Sequence, residues 1–123
     1  MSNAQVILAE DETQLRHMIG ELLAARGHKV LQAADGEEAL ALVEANPGVA
    51  LLLSDVKMPR RNGYELVEAA LKLRPELKVL MMTAYAADHP PPAALTAREI
   101  RTLVKPFDPD RMTALVDDML SRP

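Results

Sequence analysis

The sequence predicts an α/β fold in which five parallel strands form one sheet, in the order 2-1-3-4-5, with helices on both faces. Short apolar runs alternate with helical periodicity along the whole chain, the pattern of strand–helix units whose strands lie parallel. The runs Val49-Ala50-Leu51-Leu52-Leu53 and Leu77 to Met82 are almost continuously apolar, as strands covered on both faces must be. Right-handed crossovers leave few topologies for such a chain, and 2-1-3-4-5 is a common solution.

Each element has its own local reason. Val6 to Ala9 is a short apolar strand, followed by the acids Glu10-Asp11-Glu12. Leu15, Met18, Ile19, Leu22 and Leu23 then recur at three- and four-residue spacing, one stripe of an amphipathic helix, and Gly27 stands where a C-terminal cap belongs. His28 to Ala33 reads as a second, more polar strand near an edge. Asp35 opens a helix with Glu38 three residues on, a variant of the capping box, and Asn46-Pro47 ends it. After the third strand, Asn62 and Glu65 repeat the capping pattern, and that helix runs to Arg74-Pro75. Leu77 to Met82 is the fourth strand, ending at Thr83. A loop with Pro90-Pro91-Pro92 and a short helical stretch near Ala93 to Arg98 follow, then a last strand from Arg101 to Val104. Asp108 and Pro109 suit the N-cap and first position of a final helix, whose stripe is Met112, Leu115, Val116, Met119 and Leu120.

Composition narrows the function classes. The 123 residues, 49% of them apolar, suffice for one packed core and leave no room for a second. Residues 1–123 therefore read as one domain, with Met1–Ala4 set aside as a candidate expression scar. Two tyrosines and one phenylalanine are the only large aromatic residues, so the core is aliphatic. A net charge of −4 argues against direct nucleic-acid binding, which draws on Lys and Arg neutralising phosphates. No cysteine is present, which excludes disulfides and thiolate chemistry and fits a cytoplasmic protein. No run reaches the roughly 18 to 20 apolar residues that span a bilayer. His17, His28 and His89 share no metal-ligand spacing and read as surface residues.

The chemically informative residues fall at the carboxyl ends of the predicted strands. Glu10 and Asp11 follow the first, Asp55 the third, Thr83 the fourth and Lys105 the fifth. Open α/β sheets bind ligands at that edge, where the strand order reverses, and there strands one and three are neighbours. Each residue alone has an ordinary explanation, as a helix-terminal acid, a turn residue, a cap or a surface lysine. Together they bring three carboxylates into one place, and two such charges about 4 Å apart repel by roughly 4 kcal/mol at an intermediate dielectric. A hard divalent cation with oxygen ligands relieves this, and magnesium suits a site with few carboxylates and room for phosphoryl oxygens. A lysine ammonium and a threonine hydroxyl suit a phosphoryl group, and a central Asp suits a nucleophile forming an acyl phosphate.

From Val6 to about Leu120 the chain resembles a response-regulator receiver domain. The resemblance rests on Ile7-Leu8-Ala9-Glu10-Asp11-Glu12, Asp55-Val56-Lys57-Met58-Pro59 with Gly63 beyond, Met82-Thr83-Ala84-Tyr85, and Lys105-Pro106-Phe107. It implies a flavodoxin-like three-layer sandwich. It also implies that Asp55 accepts a phosphoryl group from a histidine kinase or histidine phosphotransfer protein. Glu10, Asp11, Asp55 and the backbone carbonyl of Lys57 would hold Mg2+, and Thr83 and Lys105 would bind the phosphoryl oxygens. The Lys105–Pro106 bond is expected to be cis, which only X–Pro bonds reach cheaply. The resemblance also implies that Lys57 and Tyr85 stand where side chains flank the path of the attacking water. Long side chains there are expected to slow self-dephosphorylation in a signalling switch rather than a turnover enzyme.

The chain departs from the pattern in three places. Thr102 stands where receivers usually carry the aromatic residue that swings inward on activation. The triple proline predicts a short, shifted or irregular fourth helix. Arg98-Glu99-Ile100 replaces the usual small-residue turn before the last strand. The ending Ile100-Arg101-Thr102-Leu103-Val104-Lys105-Pro106-Phe107 resembles receivers attached to hybrid sensor kinases. Two other classes compete with the switch. A haloacid-dehalogenase-type phosphohydrolase needs a second Asp two residues after the nucleophile, where this chain has Lys57. A phosphorylation-independent receiver-like interaction module is the alternative that Thr102 and the triple proline keep open, although all the site residues are present.

Overall fold

The computed structural model describes residues 5–58, 62–84 and 100–121. Its elements are β1 (Gln5–Ala9), α1 (Thr13–Ala24), β2 (Lys29–Ala33), α2 (Gly36–Ala45), β3 (Val49–Asp55), α3 (Gly63–Leu73), β4 (Lys78–Thr83), β5 (Arg101–Val104) and α4 (Pro109–Ser121). The five strands form one parallel sheet in the order β2-β1-β3-β4-β5, as the alternation of elements predicts. The triple proline, Tyr85, His89 and the expected helical stretch at Ala93 to Arg98 lie outside the described residues.

Two apolar layers hold the helices to the sheet. Successive strand residues point to opposite faces, so each central strand divides its side chains between them. Ile7, Leu52, Val79 and Met81 face one cluster with Ala39 and Val43 of α2 and Leu66, Val67 and Ala70 of α3. Val6, Leu8, Leu51, Leu53, Leu80 and Met82 face the other, with Ile19 and Leu23 of α1 and Met112 and Val116 of α4. An apolar side chain at every position of β3 from Leu51 to Leu53 is thus the consequence of cover on both sides. Each fully buried aliphatic side chain of this kind contributes about 1.5–3 kcal/mol.

The helix ends follow the predicted chemistry. Asp35 accepts from the Glu38 N–H at 2.8 Å, while the Glu38 carboxylate takes the Ala34 N–H at 2.7 Å. Asn62 and Glu65 form the reciprocal capping box at the start of α3. Asp108 Oδ1 accepts from the Asp110 N–H at 3.2 Å. Gly27 adopts φ 89° in the turn after α1, a conformation that favours glycine.

One expectation is overturned. His28 is buried, 7% exposed, rather than on the surface. Its Nε2 lies 2.8 Å from Asp117 Oδ1 in α4, and Arg26 Nε donates to Asp117 Oδ2 at 2.6 Å. The turn after α1 packs against the C-terminal helix, so a residue beside a glycine turn is enclosed by an element distant in sequence. His17 is exposed, as expected.

Candidate functional site

Parallel strands all end on the same edge, and the register puts the ends of β1, β3, β4 and β5 side by side. Ala9 stands opposite Ser54, Asp55 opposite Met82, and Thr83 opposite Val104. The next residues along each strand therefore meet above the sheet. Glu10, Asp11, Glu12, Asp55, Lys57, Thr83, Ala84 and Lys105 line one pocket of about 300 Å3.

Lys105 is the centre of its charge pattern. Its Nζ donates to Glu10 Oε1 at 2.8 Å and to Asp55 Oδ2 at 2.7 Å. Its backbone N–H donates to the Thr83 carbonyl at 2.8 Å, in register with the sheet. The Lys105–Pro106 peptide is cis. The second Asp55 oxygen, Oδ1, accepts the Lys57 N–H at 3.2 Å. Carboxylate oxygens of Glu10, Asp11 and Asp55 come within 4.8 Å of one another. Glu10 and Asp55 are almost enclosed, at 1% and 7% exposure, whereas Asp11 opens to solvent.

These contacts pull the ionisations apart. Burial, together with the nearby Asp55 charge, raises Glu10 from 4.5 to about 7, against the opposing effects of Lys105 and the Glu12 N–H. Burial works against the Lys105 ammonium, but the hydrogen bonds it donates to Asp55 and Glu10 outweigh it, and its pKa is raised. Among the described residues that line the pocket, Glu10, Asp11, Glu12 and Asp55 thus outnumber Lys57 and Lys105.

Local packing positions each group. The Ser54 hydroxyl donates to the Asp55 carbonyl at 2.9 Å, and the Gly63 N–H donates to the Val56 carbonyl at 2.8 Å. Gly63 permits this approach because a Cβ there would lie 2.2 Å from the Asp55 carbonyl oxygen. The buried Thr83 sits in the pocket wall. Lys57 presents an exposed side chain at the rim. Thr102 is not part of this group; it is exposed on β5, opposite Met81 in register. Tyr85 lies outside the described residues. Sequence reasoning passed over Arg16, whose Nη1 donates to the Glu10 carbonyl at 2.9 Å; the helical stripe marks only apolar positions and carries no signal for it.

Beside Lys105 a larger apolar recess, about 570 Å3, is lined by Leu15, Met18, Ala84, Pro106 and Phe107. Among the described residues no helix is long and apolar enough to cross a membrane.

Comparison with known proteins agrees with this geometry. The family model described as "Response regulator receiver domain" matches residues 6–117. The response regulator protein FleR of Pseudomonas aeruginosa is 36% identical over 113 residues, 92% of this chain, and the chain spans only 24% of FleR. The crystal structure of the receiver domain from hybrid histidine kinase CckA superposes with a TM-score of 0.82 at 33% identity, covering 96% of this chain and 100% of that one. The response regulator TrrA of Thermotoga maritima, solved in complex with Mg2+-BeF, superposes with a TM-score of 0.82 at 25% identity, covering 94% of this chain and 98% of that one.

Proposed function

The chain belongs to the response regulator receiver domain family, and from that premise we propose that Asp55 accepts a phosphoryl group from a phosphohistidine donor. The observation that carries the proposal is the Asp55 carboxylate held between the Lys105 ammonium at 2.7 Å and the Lys57 N–H at 3.2 Å. In the transfer, an Asp55 oxygen forms a bond to phosphorus while the bond from phosphorus to the donor imidazole nitrogen breaks and the imidazole leaves. Lys105 offsets the charge of the arriving phosphoryl oxygens, and the Thr83 hydroxyl offers them a hydrogen bond. Holding the nucleophile in place and neutralising charge supply most of the rate in such transfers.

The donor set fits magnesium. Three carboxylates bring hard oxygen atoms within 4.8 Å of one another, and burial of Glu10 beside Asp55 penalises its ionised form, a penalty that a cation with oxygen ligands would relieve. Glu10, Asp11, Asp55 and the Lys57 carbonyl are the proposed holders. When bound, the ion supplies Lewis-acid neutralisation of phosphoryl charge. The apolar recess beside Lys105 supports a protein donor, a histidine kinase or histidine phosphotransfer protein, over a small molecule alone. The exposed Lys57 side chain at the rim supports slow loss of the phosphoryl group, because it screens the acyl phosphate from water.

The test is treatment with acetyl phosphate, with and without magnesium, followed by intact mass and peptide mapping. One phosphoryl group on Asp55, dependent on magnesium and absent in Asp55→Asn, is the expected result. After donor removal the label decays faster in Lys57→Ala. Labelling elsewhere, or none, overturns the proposal.

A further inference from the structure

The main chain of the acidic loop is held by a residue outside the pocket. Glu10 donates its N–H to the Ala33 carbonyl at 3.1 Å. Its two carboxylate oxygens take the Glu12 N–H at 3.0 Å and the Lys105 Nζ at 2.8 Å. Its carbonyl takes Arg16 Nη1 at 2.9 Å. That carbonyl belongs to the peptide unit joining Glu10 to Asp11, so the guanidinium fixes the plane from which the Asp11 side chain departs. Asp11 is exposed, and its direction is set by the backbone that carries it. Arg16 lies one turn into α1, with its own N–H bonded to the Glu12 carbonyl at 2.9 Å, so its anchor is a rigid helix rather than the loop it holds.

We infer that Arg16 is a positioning residue for the cation site, orienting Asp11 through the Glu10–Asp11 peptide. This rests on the reading of Glu10, Asp11 and Asp55 as the magnesium holders. Residues that hold ligands from behind the first layer change metal affinity about 10- to 100-fold when removed. A guanidinium presents its donors in a rigid planar fork, whereas a lysine ammonium is a flexible point donor. Charge alone and shape therefore make different predictions.

The experiment compares Arg16→Gln and Arg16→Lys with the unaltered protein in two measurements. Amide hydrogen exchange in chelator, with no divalent ion present, reads the loop itself. Calorimetric titration with magnesium chloride reads the cation site. Arg16→Gln is expected to speed exchange of the Glu12 N–H and to weaken magnesium about tenfold, about 1.4 kcal/mol. Its thermal midpoint without the ion should stay near that of the unaltered protein, and Arg16→Lys should fall between the two. A lowered thermal midpoint with unchanged magnesium affinity makes Arg16 a packing residue and overturns the inference, as does unchanged exchange at Glu12. If the unaltered protein binds no magnesium, the proposed function fails, and the exchange measurement alone still decides whether Arg16 holds the loop.

Discussion

Glu10 combines two opposed facts: it is almost completely buried, and it is a carboxylic acid. Burial beside Asp55 moves its ionisation from 4.5 to about 7. Between those values the folded protein keeps a proton on Glu10 that the unfolded chain has lost. The unfolded state is then favoured progressively as pH rises through that window. Without divalent ions, Glu10 should lower stability by on the order of 3 kcal/mol between pH 4.5 and 7. Urea denaturation in chelator across that range should show the decline in the unaltered protein and a flatter profile in Glu10→Gln. Parallel profiles would contradict the assignment. The sequence marks Glu10 as a strand-end acid, but its degree of enclosure depends on β2 and Lys105 lying beside it, which no local pattern encodes.

At the scale of elements, α3 is seated directly on β3, the strand that ends at the proposed acceptor Asp55. A Cβ on Gly63 would meet the Asp55 carbonyl oxygen at 2.2 Å and the Val56 Cα at 2.9 Å. Both are backbone atoms in or next to a central strand, so the helix rather than the sheet must move. Gly63→Ala should destabilise by about 1–3 kcal/mol, as forced overpacking does, and should also slow labelling of Asp55. Asn62→Ala provides the control. It removes the capping box of the same helix, at about 1 kcal/mol, without crowding Asp55. Denaturation and initial labelling rates on both variants separate the effects; equal labelling rates would leave Gly63 with a packing role only. Elements themselves were largely legible. The caps at Asp35, Asn62 and Asp108 follow from side-chain chemistry within four residues, and β3 and β4 from their apolar runs. The starts of β2 and β4 fall one residue later than expected, at Lys29 and Lys78, because strand ends are defined by pairing with a neighbour.

For the molecule as a whole, the two ends of the sheet have separate tasks. The pocket lies at the carboxyl edge, whereas His28, Arg26 and Asp117 join the amino end of β2 to α4. Burial opposes ionisation of Asp117, but hydrogen bonds from His28 and Arg26 and the Arg26 charge outweigh it, and its pKa is lowered. Its stabilisation is therefore full above the ordinary aspartate range and is lost as pH falls through the depressed value. The Arg26 arm is half exposed and contributes little; the buried His28 bond contributes more. Asp117→Ala should lower stability by about 1–2 kcal/mol and leave magnesium affinity unchanged, since distant sites without shared partners act independently. Denaturation and magnesium titration of the same variant check both halves. A coupled loss would mean that the clasp reaches the pocket.

What the sequence by itself determined is local: the alternation of strands and helices, the caps, and the fact that Glu10, Asp11, Asp55, Thr83 and Lys105 each follow an apolar run. Hydrophobic periodicity and capping act over a few residues, so they can be read from the chain in order. The tertiary structure alone decided distances between residues 10, 55 and 105, the close seat of Gly63, the burial of His28 and the hold of Arg16 on the Glu10 carbonyl. Those depend on which strands become neighbours and on the register between them, which is set by packing helices on both faces of the sheet at once.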